Sequence, residues 1–139
     1  MIVYERPVRF EDVDAAGIVF FARFLGYAHE AMERFFDDVE GGYVGLITKR
    51  RIGLPAVRVE VDYRAPLRYG DVVRIETSCE KIGNKSAVLL YRLFRAADAT
   101  LAAEIRHTVV TTSLESLKSC DMPQDVRAQL ESHRTSRSC

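Results

Sequence analysis

The chain carries no excess charge of either sign, because its 20 Lys and Arg residues balance its 20 Asp and Glu residues. General nucleic-acid binding depends on a basic excess that neutralises phosphates, so the composition disfavours a nucleic-acid partner. The sequence also lacks an apolar run of about 18 residues, which disfavours a membrane-spanning helix. Its first residues lack the apolar segment of a secretory signal. We therefore expect neither a nucleic-acid partner nor an integral membrane segment.

Cysteine is scarce as well, with three residues, Cys79, Cys120 and Cys139. An odd number without a CxxC pair predicts neither a disulfide framework nor a zinc site. Cys79 occupies an apolar position of a predicted strand, so we expect it in the core. This cysteine usage is typical of the reducing cytoplasm, where we expect the protein to reside.

Apolar residues follow a helical period in the first third of the chain, after a predicted strand over residues 2–10. A long amphipathic helix is expected over residues 23–38, ending before Gly41 and Gly42. Its apolar stripe consists of Phe24, Leu25, Ala28, Met32, Phe35 and Phe36. The stripe is wide, so we expect this helix to be covered by other elements. A short second helix is expected within residues 43–51.

From residue 57 onward the period changes to two, which predicts β-strands. The predicted strands cover residues 57–64, 72–82, 85–95 and 101–112. The first should be half-buried, and the third is apolar on both faces, which is typical of a central strand. A single domain is expected over residues 1–133, with a short helix at 123–133 and a disordered tail at 134–139.

The order of these elements predicts the fold class. Short turns between the strands indicate antiparallel neighbours. A single sheet must cover a helix with a wide apolar face, so we expect an α+β fold in which a curled antiparallel sheet wraps around a long central helix. Such a sheet has unpaired edges, and self-association into a homodimer or homotetramer would cover them.

The segment from Phe10 to Phe21 is the strongest functional signal. It contains Asp12 and Asp14 in a turn of small residues that leads into the long helix. Free N–H groups at a helix N-terminus stabilise developing negative charge, and a carboxylate beside them suits acyl-transfer chemistry. From the residue types alone, a turn or capping role for Asp14 is the commoner reading.

Three motifs in this order resemble the hotdog-fold acyl-CoA thioesterases, and in particular the 4-hydroxybenzoyl-CoA thioesterase family. They are the segments 14–21 (DAAGIVFF), 61–72 (VDYRAPLRYGDV) and 83–86 (GNKS). The resemblance spans roughly residues 8–112. It implies a hotdog dimer, often assembled into a tetramer, with active sites at the dimer interface. It also implies hydrolysis of an acyl-CoA thioester without a metal or cofactor.

The same resemblance assigns roles to single residues. By motif match Asp14 is the catalytic carboxylate, acting as a nucleophile or as a general base, and the backbone N–H of Phe21 binds the oxyanion. The expected substrate-binding residues are Gly17, Ile18, Val19, Phe24 and Leu54. From their residue types, Lys85 and Ser86 after the Gly-Asn turn either contact phosphates of coenzyme A or belong to a solvated hairpin edge. The acyl pocket is expected to be apolar, with no residue placed to recognise a ring hydroxyl.

Several alternatives stay open at this point. The thioester carrier can be coenzyme A or an acyl carrier protein, and a hotdog protein can also bind acyl-CoA without hydrolysing it. Glu30 on the helix is the second choice for the catalytic carboxylate. His29 and His107 are expected to be structural, because a lone histidine on a helix or an apolar strand face is more often structural than catalytic.

Overall fold

The computed structural model describes residues 1–135, which form three helices, seven strands and two 3₁₀ turns. The helices are α1 (Arg23–Phe35), α2 (Gly42–Thr48) and α3 (Gln124–Ser132). The strands are β1 (Ile2–Pro7), β2 (Ile52–Gly53), β3 (Ala56–Tyr63), β4 (Val72–Ile82), β5 (Ser86–Arg95), β6 (Thr100–Val110) and β7 (Thr112–Ser113). The 3₁₀ turns are Phe10–Asp12 and Phe36–Asp38. None of the described helices is long and apolar enough to cross a membrane.

Five strands form one antiparallel sheet in the order β1-β4-β5-β6-β3, and β2 pairs with β7. The strand with apolar residues on both faces, β5, lies at the centre as predicted. Register shifts between Cys79 and Lys81 in β4, and between Leu93 and Phe94 in β5, interrupt the ladders. Such bulges bend strands and increase their twist, so the sheet curls. Its concave side holds α1, which confirms the predicted α+β architecture.

The core lies between α1 and the concave face of the sheet. Ala28 and Ala31 are buried on the helix, and their small side chains let the sheet approach the backbone closely. The larger buried residues on the same helix are Phe24, Tyr27, Met32 and Phe35. Leu25, which the helical stripe placed in the core, is instead 43% exposed and lines an open cavity with Val59 of the edge strand β3.

The edge strand β3 differs from its expected half-buried state. Val57, Val59 and Tyr63 are 62%, 43% and 48% exposed, and only Val61 packs against the core. The strand pairs with β6 on one side and lies at the end of the sheet, where α1 covers it only in part, through the Phe24 ring on Tyr63. The alternation of apolar and charged residues therefore marks a surface that this chain alone does not bury.

The described chain extends past His133, where the sequence suggested that the domain ends. The Thr135 N–H donates to the Cys79 carbonyl at 2.9 Å, and Arg134 forms a parallel bridge with the same residue. Cys79 is fully buried as expected, and burial raises the pKa of its thiol to about 11. Residues 136–139, the rest of the predicted tail, lie outside the described residues.

A buried ion pair joins the first strand to the turn that follows it. The Arg6 guanidinium bonds the Asp12 carboxylate, and both residues are buried. The Arg9 N–H also donates to Asp12 Oδ2 at 2.8 Å, while Arg6 lies over the Tyr27 ring of α1, 4.8 Å from its centroid. Asp12 therefore caps the 3₁₀ turn and is not solvated. Burial alone would raise the pKa of Asp12, but the bonds from Arg9 and Arg6 hold it below its ordinary value.

We predict that Asp12→Asn lowers the free energy of unfolding by about 3–5 kcal/mol, because it removes the buried carboxylate that pairs with Arg6 and leaves that guanidinium the longer contact with Glu30 at 3.4 Å. Chemical denaturation at pH 7 measures this loss. The control is Asp38→Asn, which removes an exposed pair with Arg34 and should cost no more than about 1 kcal/mol.

The pH dependence of the same variant provides a second readout. Because the folded pKa of Asp12 is lowered, its stabilising effect is present above the unfolded pKa and is lost as the pH falls through the folded value. The wild type should therefore lose more stability than Asp12→Asn on acidification from pH 5. Equal losses of unfolding free energy on acidification in the two proteins would contradict this assignment.

Candidate active site

Asp14 lies in a tight turn that a short antiparallel bridge closes. Val13 and Val19 form an antiparallel bridge, and the Asp14 N–H donates to the Ile18 carbonyl at 2.9 Å. The Gly17 N–H donates to the Asp14 carbonyl at 2.9 Å, and Gly17 has φ of +81°, a left-handed conformation that glycine adopts without strain. The backbone of the turn is therefore fixed by its own hydrogen bonds.

The Asp14 carboxylate is oriented through one of its oxygens. Oδ1 accepts the Ala16 N–H at 2.9 Å, which closes an Asx turn. Within residues 1–135, Oδ2 makes no hydrogen bond and no ion pair, and the residue is exposed. One oxygen thus holds the side chain in place while the other is available to a reacting group.

The start of α1 presents free donors beside this turn. The Phe20 N–H donates to the Asp12 carbonyl at 2.9 Å, and the Arg23 N–H donates to the Phe20 carbonyl at 2.9 Å. Between them, the N–H groups of Phe21 and Ala22 donate no hydrogen bond to any other residue of the range 1–135. Two consecutive free N–H groups at a helix N-terminus form a site for a negatively charged oxygen.

Tyr63 of β3 holds this helix start from across the cavity. Its hydroxyl donates to the Phe21 carbonyl at 2.8 Å, and its ring meets Phe24 edge-on at a centroid distance of 5.1 Å. Since the Phe21 carbonyl and the Ala22 N–H belong to one peptide plane, this bond also sets the direction of the Ala22 N–H. A residue of the sheet edge therefore orients one of the two free donors.

Asp14, Phe21 and Tyr63 line one cavity of about 420 Å³. Its lining residues are Asp14, Ile18, Val19, Phe21, Phe24, Tyr63, Arg64, Ala65 and Pro66. The predicted residues Asp14, Ile18, Val19, Phe21 and Phe24 thus lie together, with Gly17 in the turn beside them. Sequence reasoning gave no role to the lining residues 63–66, although they belong to the second motif that carries the family resemblance.

The other predicted binding residues do not reach this cavity within one chain. Ser86 pairs in register with Val110 at one end of the sheet, whereas Tyr63 pairs with Ala103 towards the other end. Lys85 precedes Ser86, so both lie far from Asp14 in the same chain. Leu54 is buried in the core just before β3 begins.

Glu30 and His29, the other titratable residues considered on α1, have hydrogen-bond or ion-pair partners outside the Asp14 cavity. Glu30 accepts the Tyr4 hydroxyl at 2.7 Å and lies 3.4 Å from Arg6, and it does not line the Asp14 cavity. His29 is exposed and pairs with Glu33 on the next turn of α1 at 2.9 Å. Among residues 1–135, no three His, Cys, Asp or Glu side chains cluster in a way that could hold a metal ion.

Comparison with known proteins identifies the family of this arrangement. The family model described as the thioesterase-like superfamily matches residues 8–130. The 1,4-dihydroxy-2-naphthoyl-CoA hydrolase of Nostoc punctiforme is 32% identical over 131 residues, which cover 94% of this chain and 87% of that protein. The match therefore includes almost the whole described chain, with both the turn of Asp14 and the sheet.

Solved structures give the same picture. A 1,4-dihydroxy-2-naphthoyl-CoA thioesterase from Synechocystis superposes with a TM-score of 0.83 at 28% identity, covering 92% of this chain and 93% of that one. A gentisyl-coenzyme A thioesterase superposes with a TM-score of 0.81 at 30% identity, covering 91% and 99%. The curled sheet around α1 is thus the hotdog fold that the sequence motifs implied.

Proposed function

This chain belongs to the thioesterase-like superfamily and is a thioester hydrolase, and on that premise we propose that Asp14 and the N-terminus of α1 hydrolyse an acyl-CoA thioester. The observation that carries the proposal is that Asp14 and Phe21 line one cavity, with the free N–H groups of Phe21 and of the next residue, Ala22, at the start of α1. The relatives described above are named for CoA thioesters, which favours coenzyme A over an acyl carrier protein. We further propose the cytoplasm as its location, from the cysteine usage.

In the proposed reaction the thioester carbonyl oxygen binds to the Phe21 N–H, with the Ala22 N–H as a second donor. Negative charge grows on this oxygen when the carbonyl carbon is attacked, so these donors stabilise the transition state more than the ground state. One such donor can contribute about 3 kcal/mol to lowering the barrier. The donors need no rearrangement, because Tyr63 and the helix already fix the peptide planes.

The role of Asp14 follows from its free Oδ2 atom. We propose that Oδ2 attacks the carbonyl carbon, expels the CoA thiolate and forms an acyl anhydride that water then cleaves. In the general-base alternative, the same oxygen removes a proton from an attacking water. Rapid quenching distinguishes them, because the covalent route releases a burst of free CoA equal to the site concentration when anhydride hydrolysis is slower than its formation.

We propose an aromatic acyl group as the substrate. Three aromatic rings, Phe21, Phe24 and Tyr63, line the cavity, and the Phe24 and Tyr63 rings already pack edge-on. The relatives named for 1,4-dihydroxy-2-naphthoyl-CoA and gentisyl-coenzyme A have aromatic acyl groups, which supports the same class here. We also propose that this chain belongs to the 4-hydroxybenzoyl-CoA thioesterase family within that superfamily.

We propose that a second copy of the chain completes each site in a homodimer, which could assemble further into a homotetramer. The edge of β3 is unpaired and its valines are exposed, so pairing of two β3 edges would bury them. Two-fold symmetric pairing is antiparallel and brings opposite ends of the two sheets together. The partner's Lys85 and Ser86 would thereby approach Asp14, where they could contact phosphates of coenzyme A.

We predict that Asp14→Asn abolishes hydrolysis while the fold and the oligomer stay intact. The amide has nearly the same shape, and the residue is exposed, so little packing is lost. Asparagine can serve neither as a carboxylate nucleophile nor as a base. Turnover of benzoyl-CoA, circular dichroism and light scattering provide the measurements, and near-wild-type turnover would refute the assignment.

Tyr63→Phe tests the orientation of the helix start. Removal of one hydrogen bond should lower kcat by about tenfold, while KM changes little because the ring remains in the cavity. The control is Tyr69→Phe, at a tyrosine that is 63% exposed and does not line the cavity. A loss confined to KM, or an equal loss in both variants, would contradict this role of the Tyr63 hydroxyl.

Mixed dimers test whether the site is shared. Lys85→Ala alone should raise KM with kcat retained, and the difference should shrink at high salt because a phosphate contact is screened. Each mixed dimer of Lys85→Ala with Asp14→Asn would contain one intact site, formed by Asp14 of the first variant and Lys85 of the second. A wild-type KM component should therefore appear on mixing. If mass measurements confirm mixed dimers but no wild-type KM component appears, Asp14 and the partner's Lys85 do not form one shared site.

A further inference from the structure

A second cavity lies along the same crevice between α1 and β3. It has a volume of about 170 Å³, close to the ~150 Å³ of an engineered apolar cavity that accepts benzene. Its lining residues are Leu25, Ala28, His29, Val59, Tyr91, Ile105 and His107. Most of this lining is apolar, so the two histidines and the tyrosine hydroxyl are the groups that can distinguish one occupant from another.

The buried tyrosine determines which nitrogen of His107 carries the proton. Tyr91 is fully buried, and its hydroxyl lies 3.0 Å from His107 Nδ1, its sole hydrogen-bond partner among residues 1–135. If Nδ1 donated, the Tyr91 hydroxyl proton would be left buried without an acceptor, which is costly. The hydroxyl therefore donates to Nδ1, and the proton of the neutral ring is on Nε2. Burial, and then the nearby His29, lower the pKa of His107, which keeps the ring neutral.

We propose that His107 is a specificity-determining residue, whose Nε2–H donates a hydrogen bond to an oxygen at the far end of the acyl group. Within residues 1–135, Nε2 makes no hydrogen bond and no ion pair, so the donor is free. His29 lines the same cavity, but its Nε2 is already paired with Glu33 at 2.9 Å. The sequence had suggested an acyl pocket without polar recognition and a structural role for His107.

The inference rests on the proposed reaction at Asp14, and the two cavities adjoin along α1. Phe24 of α1 lines the first cavity and the next residue, Leu25, lines the second. An aromatic acyl group whose carbonyl is bound at the Phe21 N–H would therefore extend towards the second cavity. On the strand side, Tyr63 lines the first cavity and Val59 the second, and Val59 pairs in register with His107.

The test compares acyl groups of equal size that differ in one oxygen. The substrates are benzoyl-CoA and its 3- and 4-hydroxy and 3- and 4-methyl derivatives. The wild type should prefer at least one hydroxyl over the methyl at the same position by about tenfold in kcat/KM, the worth of one hydrogen bond. His107→Leu should remove this preference, so that each hydroxy derivative and its methyl counterpart have nearly equal kcat/KM. His107→Gln, whose side-chain nitrogen can stand near the position of Nε2, should retain part of it.

Two further variants separate the histidines and the tautomer. His29→Leu should leave the hydroxyl preference intact, while Tyr91→Phe should weaken it, because the proton of His107 is then no longer held on Nε2. The proposal is overturned if the wild type shows no preference. It is also overturned if His107→Leu lowers kcat/KM equally for all substrates, or if His29→Leu abolishes the hydroxyl preference as well.

Binding measurements keep this inference separate from the reaction at Asp14. Non-hydrolysable thioether analogues with a hydroxyl or a methyl group should show the same preference in Kd, in the wild type and in Asp14→Asn alike. If Asp14→Asn hydrolyses normally but the preference follows His107, the proposed reaction fails and the subsite stands. If Asp14 is essential and the preference ignores His107, the reaction stands and the subsite fails.

Discussion

The buried ion pair between Arg6 and Asp12 is the constraint on which the site depends. It ties β1 to the 3₁₀ turn, while Arg6 also covers the Tyr27 ring of α1. The Asp12 carbonyl then accepts the Phe20 N–H at 2.9 Å, directly before the free donors of the helix start. A buried charge without its partner is strongly unfavourable, so strand, turn and helix can adopt only arrangements that keep this pair.

Two acids that are separated by a single residue therefore have opposite roles. Asp12 is fully buried and its carboxylate is bonded by Arg6 and Arg9, so a substrate cannot reach it. Asp14 is exposed in its own hydrogen-bonded turn and keeps one oxygen free. The fixed backbone beneath the Asp14 turn keeps this carboxylate both accessible and well placed, as the proposed catalytic role requires.

Local patterns in the sequence predicted the elements well. The helical stripe located α1, the period of two located the long strands, and the turn motif brought Asp14 together with Phe21. The features that the sequence did not predict depend on which residues meet in the folded chain. Asp12 gave no sign that Arg6 would bury it, and the bond between Tyr63 and Phe21 joins residues 42 positions apart. The alternation in β3 could not show whether its apolar face meets its own core or another chain.

The strand order has a consequence for biosynthesis. Of the five strands of the main sheet, β3 is made second, after β1. Its one partner in the sheet, β6, is made last. Roughly 40 residues separate the two strands, so at ~5–20 residues per second β3 waits seconds on the ribosome for its partner. Tyr63 is carried by β3. The cavity around Asp14 is thus among the last parts of the nascent chain to form.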